Sequence, residues 1–329
     1  MCSVIITGSS GQIGTNLGLR LLDDGVGVTG LDNRRNTWTG DINTTRRDLT
    51  EPFLGVPPVG ARALVHLAAH AKVNATVERP QWAMENIAMT FNALEYCRKY
   101  GLPIIYASSR EVYGDVHRFL TEESYADFNY AESPYSASKL AGEALVYSYA
   151  RCYGLRYIVF RFSNVYGRYD NDLDRMERVI PLFIRKIAAG EPITVYGAKK
   201  TLDFTYVDDC VSGIMAGLEL LTTGAAVNET VNLAYGQGHT LAAMAWMIGE
   251  ALGVKPRMTI EASRPGEVTH YVANIGKARA LLGYEPQVTL EDGIRRAIEW
   301  QHEYDRTGAS GPGVASAVGD HPILEGAGR

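Results

Sequence analysis

Residues 3–14 read SVIITGSSGQIG, a short apolar run followed at once by Gly8, Gly11 and Gly14. The run has the length and composition of a buried strand, and QIGTNLGLRLLDD after it carries the apolar spacing of an amphipathic helix. Glycines at such a junction let the backbone turn tightly, approach a pyrophosphate and pack helix on strand. The helix N-terminus meanwhile offers free N–H groups and the positive end of its dipole. The spacing is GxxGxxG, not GxGxxG, so by itself it fits a plain turn as well. The next strand-like run, VGVTGLD, ends at Asp32, where a carboxylate accepts hydrogen bonds from an adenosine ribose and repels a 2′-phosphate. NAD is therefore favoured over NADP; Arg34 and Arg35 either hold a phosphate or are solvated loop residues.

Outward from this junction the pattern continues. ALVHLAA, PIIYASS and YIVFRFSN read as strands, and WAMENIAMTFNALEYCRKYG as a long helix between two of them. Short strands alternating with helices imply right-handed crossovers and a doubly wound parallel sheet of the Rossmann type, covered on both faces. After Gly167 the rhythm changes to helices with short strands (RVIPLFIRKIAAG, PITVYG, LAAMAWMIGEALG), which suggests a smaller C-terminal α/β cap. The expected division is residues 1–167 plus about 203–235 for the NAD-binding domain and about 168–202 plus 236–304 for the substrate-binding cap. Residues 305–329, rich in Gly, Ala and Ser, read as a flexible tail.

The 329 residues are 46% hydrophobic and 21% charged, the range of ordinary globular chains, with a net charge of -5 and dispersed lysines and arginines. No basic field is present to hold a nucleic acid. The start lacks a signal-peptide pattern and no run reaches membrane-spanning length, so a cytoplasmic protein is expected. Cys2, Cys97, Cys152 and Cys210 have neither metal-ligand spacing nor disulfide density.

Chemistry gathers around residues 130–143, YAESPYSASKLAGE. Tyr135 and Lys139 are four apart and share a helix face. A phenol is a poor base at its ordinary pKa near ~10, and a neighbouring ammonium lowers that value. An isolated YxxxK is commonplace. Here PIIYASSREVYG places Ser108 and Ser109, and RFSNVYG places Asn164, at strand ends on the same carboxyl edge. Along that edge the candidate cofactor contacts are Gly8, Gly11, Gln12, Ile13 and Gly14 in the first turn, Asp32 and Asn33, Asp48 and Leu49, and Leu67, Ala68 and Ala69 in HLAAH.

Taken together, GSSGQIG, Asp32, HLAAH, Asn86 in MENIAMTFNAL, SSREVYG, YSASK, RFSNVYG, LDFTYVDD, RPGE and ALLGYEPQVTLEDGIRRAIEW make residues 3–304 resemble an extended short-chain dehydrogenase/reductase of the NDP-sugar epimerase/dehydratase family. The resemblance implies that Tyr135 deprotonates a sugar 4-hydroxyl as hydride leaves C4 for NAD. Lys139 lowers the tyrosine pKa and binds the nicotinamide ribose, and Ser109 hydrogen-bonds the same sugar oxygen. It also implies that Asn86 supports the cofactor, that Asn164 and Arg264 hold the diphosphate, and that Val195 and Tyr196 lie by the base. Leu202 stands where relatives carry an arginine; Lys199 or Lys200 either replaces that contact or is solvated.

Dehydratases of this family carry an Asp-Glu pair after the strand end, where this chain has Arg110 and Glu111. Glu111 matches, but an arginine cannot be the acid at neutral pH. The expectation is an NAD-dependent 4-epimerase of a UDP-sugar, neutral or uronic; dehydration, UDP-glucuronate decarboxylation and a non-catalytic NAD sensor are the alternatives. Arg110 either meets a substrate carboxylate or pairs with Glu111 or Glu143. Met84, Ile87, Phe91, Leu94, Leu140, Leu145 and Tyr149 on two long helices suggest the intersubunit four-helix bundle usual in this family, hence a homodimer.

Overall fold

The computed structural model of the protein describes residues 2–53, 55–171, 173, 177–223 and 228–307. β1 (Ser3–Thr7) is buried at every residue and turns through the glycines into α1 (Gln12–Asp23). β2 (Gly27–Asp32), β3 (Thr44–Arg46) and β4 (Ala61–His66) follow, then the short α2 (Val73–Glu78) and the long α3 (Gln81–Tyr100). β5 (Ile104–Ser109), α4 (Pro134–Tyr153) and β6 (Tyr157–Phe162) complete the first half. β5 and β6 are buried along their whole length, as strands covered on both faces must be.

Only Ser163 separates β6 from β7 (Asn164–Tyr166), where the chain leaves the large sheet. Beyond it lie α5 (Val179–Ala188), β8 (Ile193–Tyr196), β9 (Thr201–Tyr206), α6 (Val207–Thr223) and β10 (Glu229–Leu233). The remainder is β11 (Gly238–Thr240), α7 (Leu241–Leu252), β12 (Met258–Glu261), β13 (His270–Tyr271), α8 (Gly276–Leu282) and α9 (Leu290–Thr307).

Seven strands in the order β10-β6-β5-β4-β1-β2-β3 form one sheet, and every pairing in it is parallel. The order reverses between β1 and β4, and a doubly wound sheet binds its ligand in the crevice that opens there. One face packs on α3 and α4 through Leu94, Cys97, Val146 and Tyr149; the other continues through Ile214 and Leu218 of α6 into the smaller sheets. Those are β11-β9-β13 with β7 beside β9, and a separate parallel pair of β8 and β12. Within the 203–235 segment, β10 and α6 attach to the large sheet whereas β9 belongs to a small one.

Asp305–Thr307, read as the start of a tail, continue α9. An aromatic cluster ties that helix end down: Trp38 sits 5.6 Å from Tyr169 and 5.7 Å from Tyr304, and Tyr169 sits 4.8 Å from Trp300. The rest of that segment, 308–329, lies outside the described residues. Of the apolar residues expected at a subunit interface, Leu94 and Tyr149 are buried within the chain, while Met84 and Phe91 are 66% and 47% exposed. Among the described residues no helix is long and apolar enough to cross a membrane, and no cluster of metal-ligating side chains occurs.

Candidate active site

A cleft of about 1280 Å³ runs along the carboxyl edge of the large sheet. At its nucleotide end it is lined by Gly8, Gly11, Gln12, Ile13, Gly14, Asp32, Asn33, Asp48, Leu49, Leu67, Ala68 and Ala69. Two of the glycines are dictated by space. A Cβ on Gly8 would lie 2.8 Å from the Ala68 nitrogen, and one on Gly14 only 2.2 Å from the Gly8 carbonyl oxygen. No side chain caps α1, so its first N–H groups are open to the cleft. The buried Gln12 amide has no hydrogen-bond partner at either atom.

Asp32 is oriented by backbone N–H groups from both sides, Ser10 to Oδ2 at 2.9 Å and Arg34 to Oδ1 at 3.1 Å. The Arg34 guanidinium donates to the Ser10 carbonyl. Uncapped helix, unpartnered amide and aimed carboxylate together fit a dinucleotide. Asp48 accepts from the Thr50 hydroxyl and N–H, which hold its carboxyl below the usual range.

Asn86 does not line the cleft. Its Oδ1 accepts from the His70 N–H at 2.7 Å and its Nδ2 donates to the Ser138 hydroxyl at 3.1 Å, so it splints the HLAAH turn to α4.

Tyr135 and Lys139 occupy the first turns of α4, which starts sharply. Ser133 caps it in a reciprocal capping box with Ser136, and Pro134 stands at the first helical position. Both side chains line the cleft and are buried. The Ser109 hydroxyl accepts from the Glu111 N–H at 3.2 Å and pulls the Tyr135 phenol pKa down. Lys139 Nζ donates to the Ala107 carbonyl at 2.8 Å and lies 5.8 Å from the Tyr135 ring centre.

The electrostatics correct one expectation. Burial pushes the Tyr135 phenol up to about 12, against the opposing pull of the Ser109 hydrogen bond, Arg178 and Arg110. Burial also pushes Lys139 down to about 8, with Glu143 acting the other way. At the phenol, desolvation together with the Glu111 charge outweighs Ser109, Arg178 and Arg110.

Arg110 and Glu111 follow Ser109 and also line the cleft. Arg110 Nη2 stands 2.8 Å from Glu111 Oε1, so its partner is Glu111 and not Glu143. Glu143 is bound to Arg161, whose Nη2 reaches Oε2 at 2.6 Å and whose Nε reaches Oε1 at 2.8 Å. Burial raises the Glu111 carboxyl, with Arg110 and then Lys200 opposing.

Asn164 lines the cleft, but its Nδ2 donates to the Asp203 carbonyl at 2.9 Å. Val195, Tyr196 and Arg264 do not line this cleft. Val195 is fully buried, and the Arg264 guanidinium lies 3.9 Å above the Tyr196 ring. Leu202 is buried in the core. Lys200, two residues earlier, reaches Glu267 of RPGE at 2.8 Å and is therefore not solvated.

Sequence reasoning missed Arg178, Trp82 and Glu85 on the cleft wall and the buried Arg161 beneath it. Arg178 closes the charged stretch 168–178, whose density of charge was its visible signal.

Known proteins resemble this chain over most of its length. The model of the NAD dependent epimerase/dehydratase family matches residues 4–234. UDP-glucuronate 4-epimerase 1 of Arabidopsis thaliana is 32% identical over 92% of this chain and 77% of its own. UDP-glucose 4-epimerase of Thermotoga maritima, solved with UDP-glucose, superposes with a TM-score of 0.81 at 26% identity, covering 93% of this chain and 99% of that one. The Thermus thermophilus UDP-glucose 4-epimerase solved with NAD gives 0.79 at 28% identity, over 91% and 99%.

Proposed function

Because the chain belongs to the NAD-dependent epimerase/dehydratase family, we propose that it is a UDP-sugar 4-epimerase working through a transient 4-keto sugar. The carrying observation is the meeting of Ser109, Tyr135 and Lys139 in one cleft with the Gly8–Gly14 turn and Asp32. NAD supplies the hydride acceptor and donor. The first turn of α1 holds its pyrophosphate, Asp32 its adenosine ribose, and Asp48 with Leu49 and Leu67 through Ala69 its adenine side; Asn86 keeps the last of these turns in place.

Tyr135 takes the proton of the sugar 4-hydroxyl as C4 is oxidised and returns it on reduction, while Ser109 shares the same oxygen. Arg178 and Arg110 are the cations that oppose burial at the phenol. Lys139 donates to the nicotinamide ribose. Arg264, Asn164 and Tyr196 serve the nucleotide diphosphate end.

Epimerisation is favoured over elimination by the residue after Ser109. Arg110 keeps its protons at neutral pH and cannot pass one to a leaving hydroxyl, and it holds Glu111 at 2.8 Å. Reduction of the ketone from its other face needs no further acid or base. The seven-stranded half carries the cofactor and the smaller sheets the nucleotide sugar. The exposed Met84 and Phe91 on α3 support a homodimer, and four free cysteines suit the reducing cytoplasm.

The test is NMR and mass spectrometry of UDP-glucose, UDP-N-acetylglucosamine and UDP-glucuronate incubated with the purified protein. Unchanged mass with an inverted C4 signal is expected. Loss of water or carbon dioxide would overturn the assignment.

A further inference from the structure

Leu202 is buried in the core, at the position where the family resemblance expects an arginine on the diphosphate. Lys200, just ahead of β9, does not replace that arginine by contact. It is 7% exposed, it does not line the cleft, and its Nζ is committed to Glu267 Oε2 at 2.8 Å. What this pair holds is the turn Arg264–Glu267. The same Oε2 accepts from the Arg264 N–H at 3.4 Å, and the Glu267 N–H donates to the Arg264 carbonyl, also at 3.4 Å. One carboxylate therefore ties the Lys200 ammonium to the backbone of Arg264.

Further contacts fix where the turn lies. Between β8 and β9, the Gly197 N–H donates to the Glu261 carbonyl at 2.8 Å, and a Cβ on Gly197 would lie 2.5 Å from Ser263 Oγ. Gly266, at φ +78°, rests against α2 and the start of α4: a Cβ there would lie 3.2 Å from Val77 Cγ2 and 3.4 Å from Ser133 Cβ. Val73 and Ala75 of α2 and Tyr135 of α4 line the cleft, so the turn bridges two of its walls. The charges of Lys200 and Glu267 both act on Glu111, which puts the pair behind a third. Arg264 itself is half-buried, with its guanidinium above the Tyr196 ring.

A guanidinium recognises phosphate through a planar fork, so its reach and angle matter as much as its charge. A displacement of about 1 Å in a positioning group can cost about 100-fold.

We propose, resting on the UDP-sugar reading above, that Lys200 is a positioning residue for the diphosphate. Through Glu267 it sets the turn from which Arg264 reaches the nucleotide, and so offsets by position the contact absent at Leu202.

The test is calorimetric titration of UDP into the protein as purified with its cofactor, beside steady-state kinetics on the UDP-sugar it turns over. Lys200→Met keeps the length of the stem and removes the charge. It should weaken UDP and raise KM by about tenfold each, with kcat unchanged. Arg264→Ala should weaken UDP at least as much. Adding Lys200→Met to Arg264→Ala should then change the affinity by less than about twofold, because the strut has nothing left to hold. Two losses that multiply would mean that Lys200 meets the phosphates itself, and would overturn the proposal. UDP binding unmoved by either single change, or a fall in kcat in place of a rise in KM, overturns it too.

Glu267→Gln keeps the outline of the side chain and serves should Lys200→Met not fold. It weakens UDP in the wild-type background and leaves the Arg264→Ala protein as it was, and multiplying losses count against the strut here as well. A wild type that binds no UDP sinks the proposed function together with the strut, whereas UDP binding and epimerisation indifferent to Lys200→Met sink the strut alone.

Discussion

Replacing Lys139 by methionine should make the protein more stable while abolishing turnover. The amine is buried, and its pKa falls from 10.5 to about 8, chiefly because burial penalises the charged form. The unfolded chain therefore binds more protons than the folded one between those two values, and wild-type stability rises with pH across that window. Below pH 8 both states are charged and the full cost of burying the ammonium is present. The gap between 10.5 and about 8 corresponds to about 3 kcal/mol. Loss of the bond to the Ala107 carbonyl returns about 1 kcal/mol of this, leaving a net gain of about 2 kcal/mol for Lys139→Met at pH 7. Urea unfolding of nucleotide-free protein, followed by tryptophan fluorescence at pH 7 and pH 9.5, measures it. The advantage should shrink at the higher pH, where less of the charging penalty remains. A variant less stable at pH 7, or an advantage equal at both pH values, would refute this account of the lysine.

Four other perturbations test the site. Tyr135→Phe should lower kcat by about 10²- to 10⁴-fold with cofactor content unchanged; a smaller drop would point to another proton acceptor. Asp32→Ala removes the acceptor of the Ser10 and Arg34 N–H groups, and calorimetry should show NAD affinity falling about tenfold while discrimination against NADP narrows. Gly14→Ala drives a methyl to 2.2 Å from the Gly8 carbonyl, so the purified variant should carry little or no bound NAD; a full complement would mean that the turn is looser than drawn. Arg161→Leu strands the buried Glu143 and should cost about 3–5 kcal/mol, most of it recovered when Glu143→Leu is added. Strict additivity of those two changes would contradict a shared ion pair.

Legibility in the sequence followed locality. α1 was expected over residues 12–24 and occupies Gln12–Asp23, because an amphipathic period and a glycine turn are both written within a few residues. The carboxyl-edge residues were legible for the same reason: a strand end followed by small residues has few other uses. Three-residue strands such as β3 and β11 were missed, since so short a run has no period and is held only by the neighbour it meets. Asn86 was expected at the cofactor, but its support is indirect; its partners His70 and Ser138 lie 16 and 52 residues away. The net pKa of Tyr135 was missed because burial depth is a tertiary quantity, whereas the lysine four residues on is a local one. Arg110 left alternatives open for the same reason, since Glu143 lies on a different element and is claimed by Arg161.

The strand order of the large sheet also bears on how the chain is made. β10, the outer neighbour of β6, begins at Glu229, whereas β6 ends at Phe162. During translation at ~5–20 residues per second, the apolar strand YIVFRF waits several seconds with its backbone N–H and C=O groups unpaired on one side. A bare, mostly apolar edge of this kind is a template for pairing with another nascent copy. Shortened forms ending before Glu229 should therefore gather in inclusion bodies and not yield a free-standing nucleotide-binding half. Slower synthesis across residues 163–228 would lengthen the same exposure, so soluble yield should depend on codon choice in that interval.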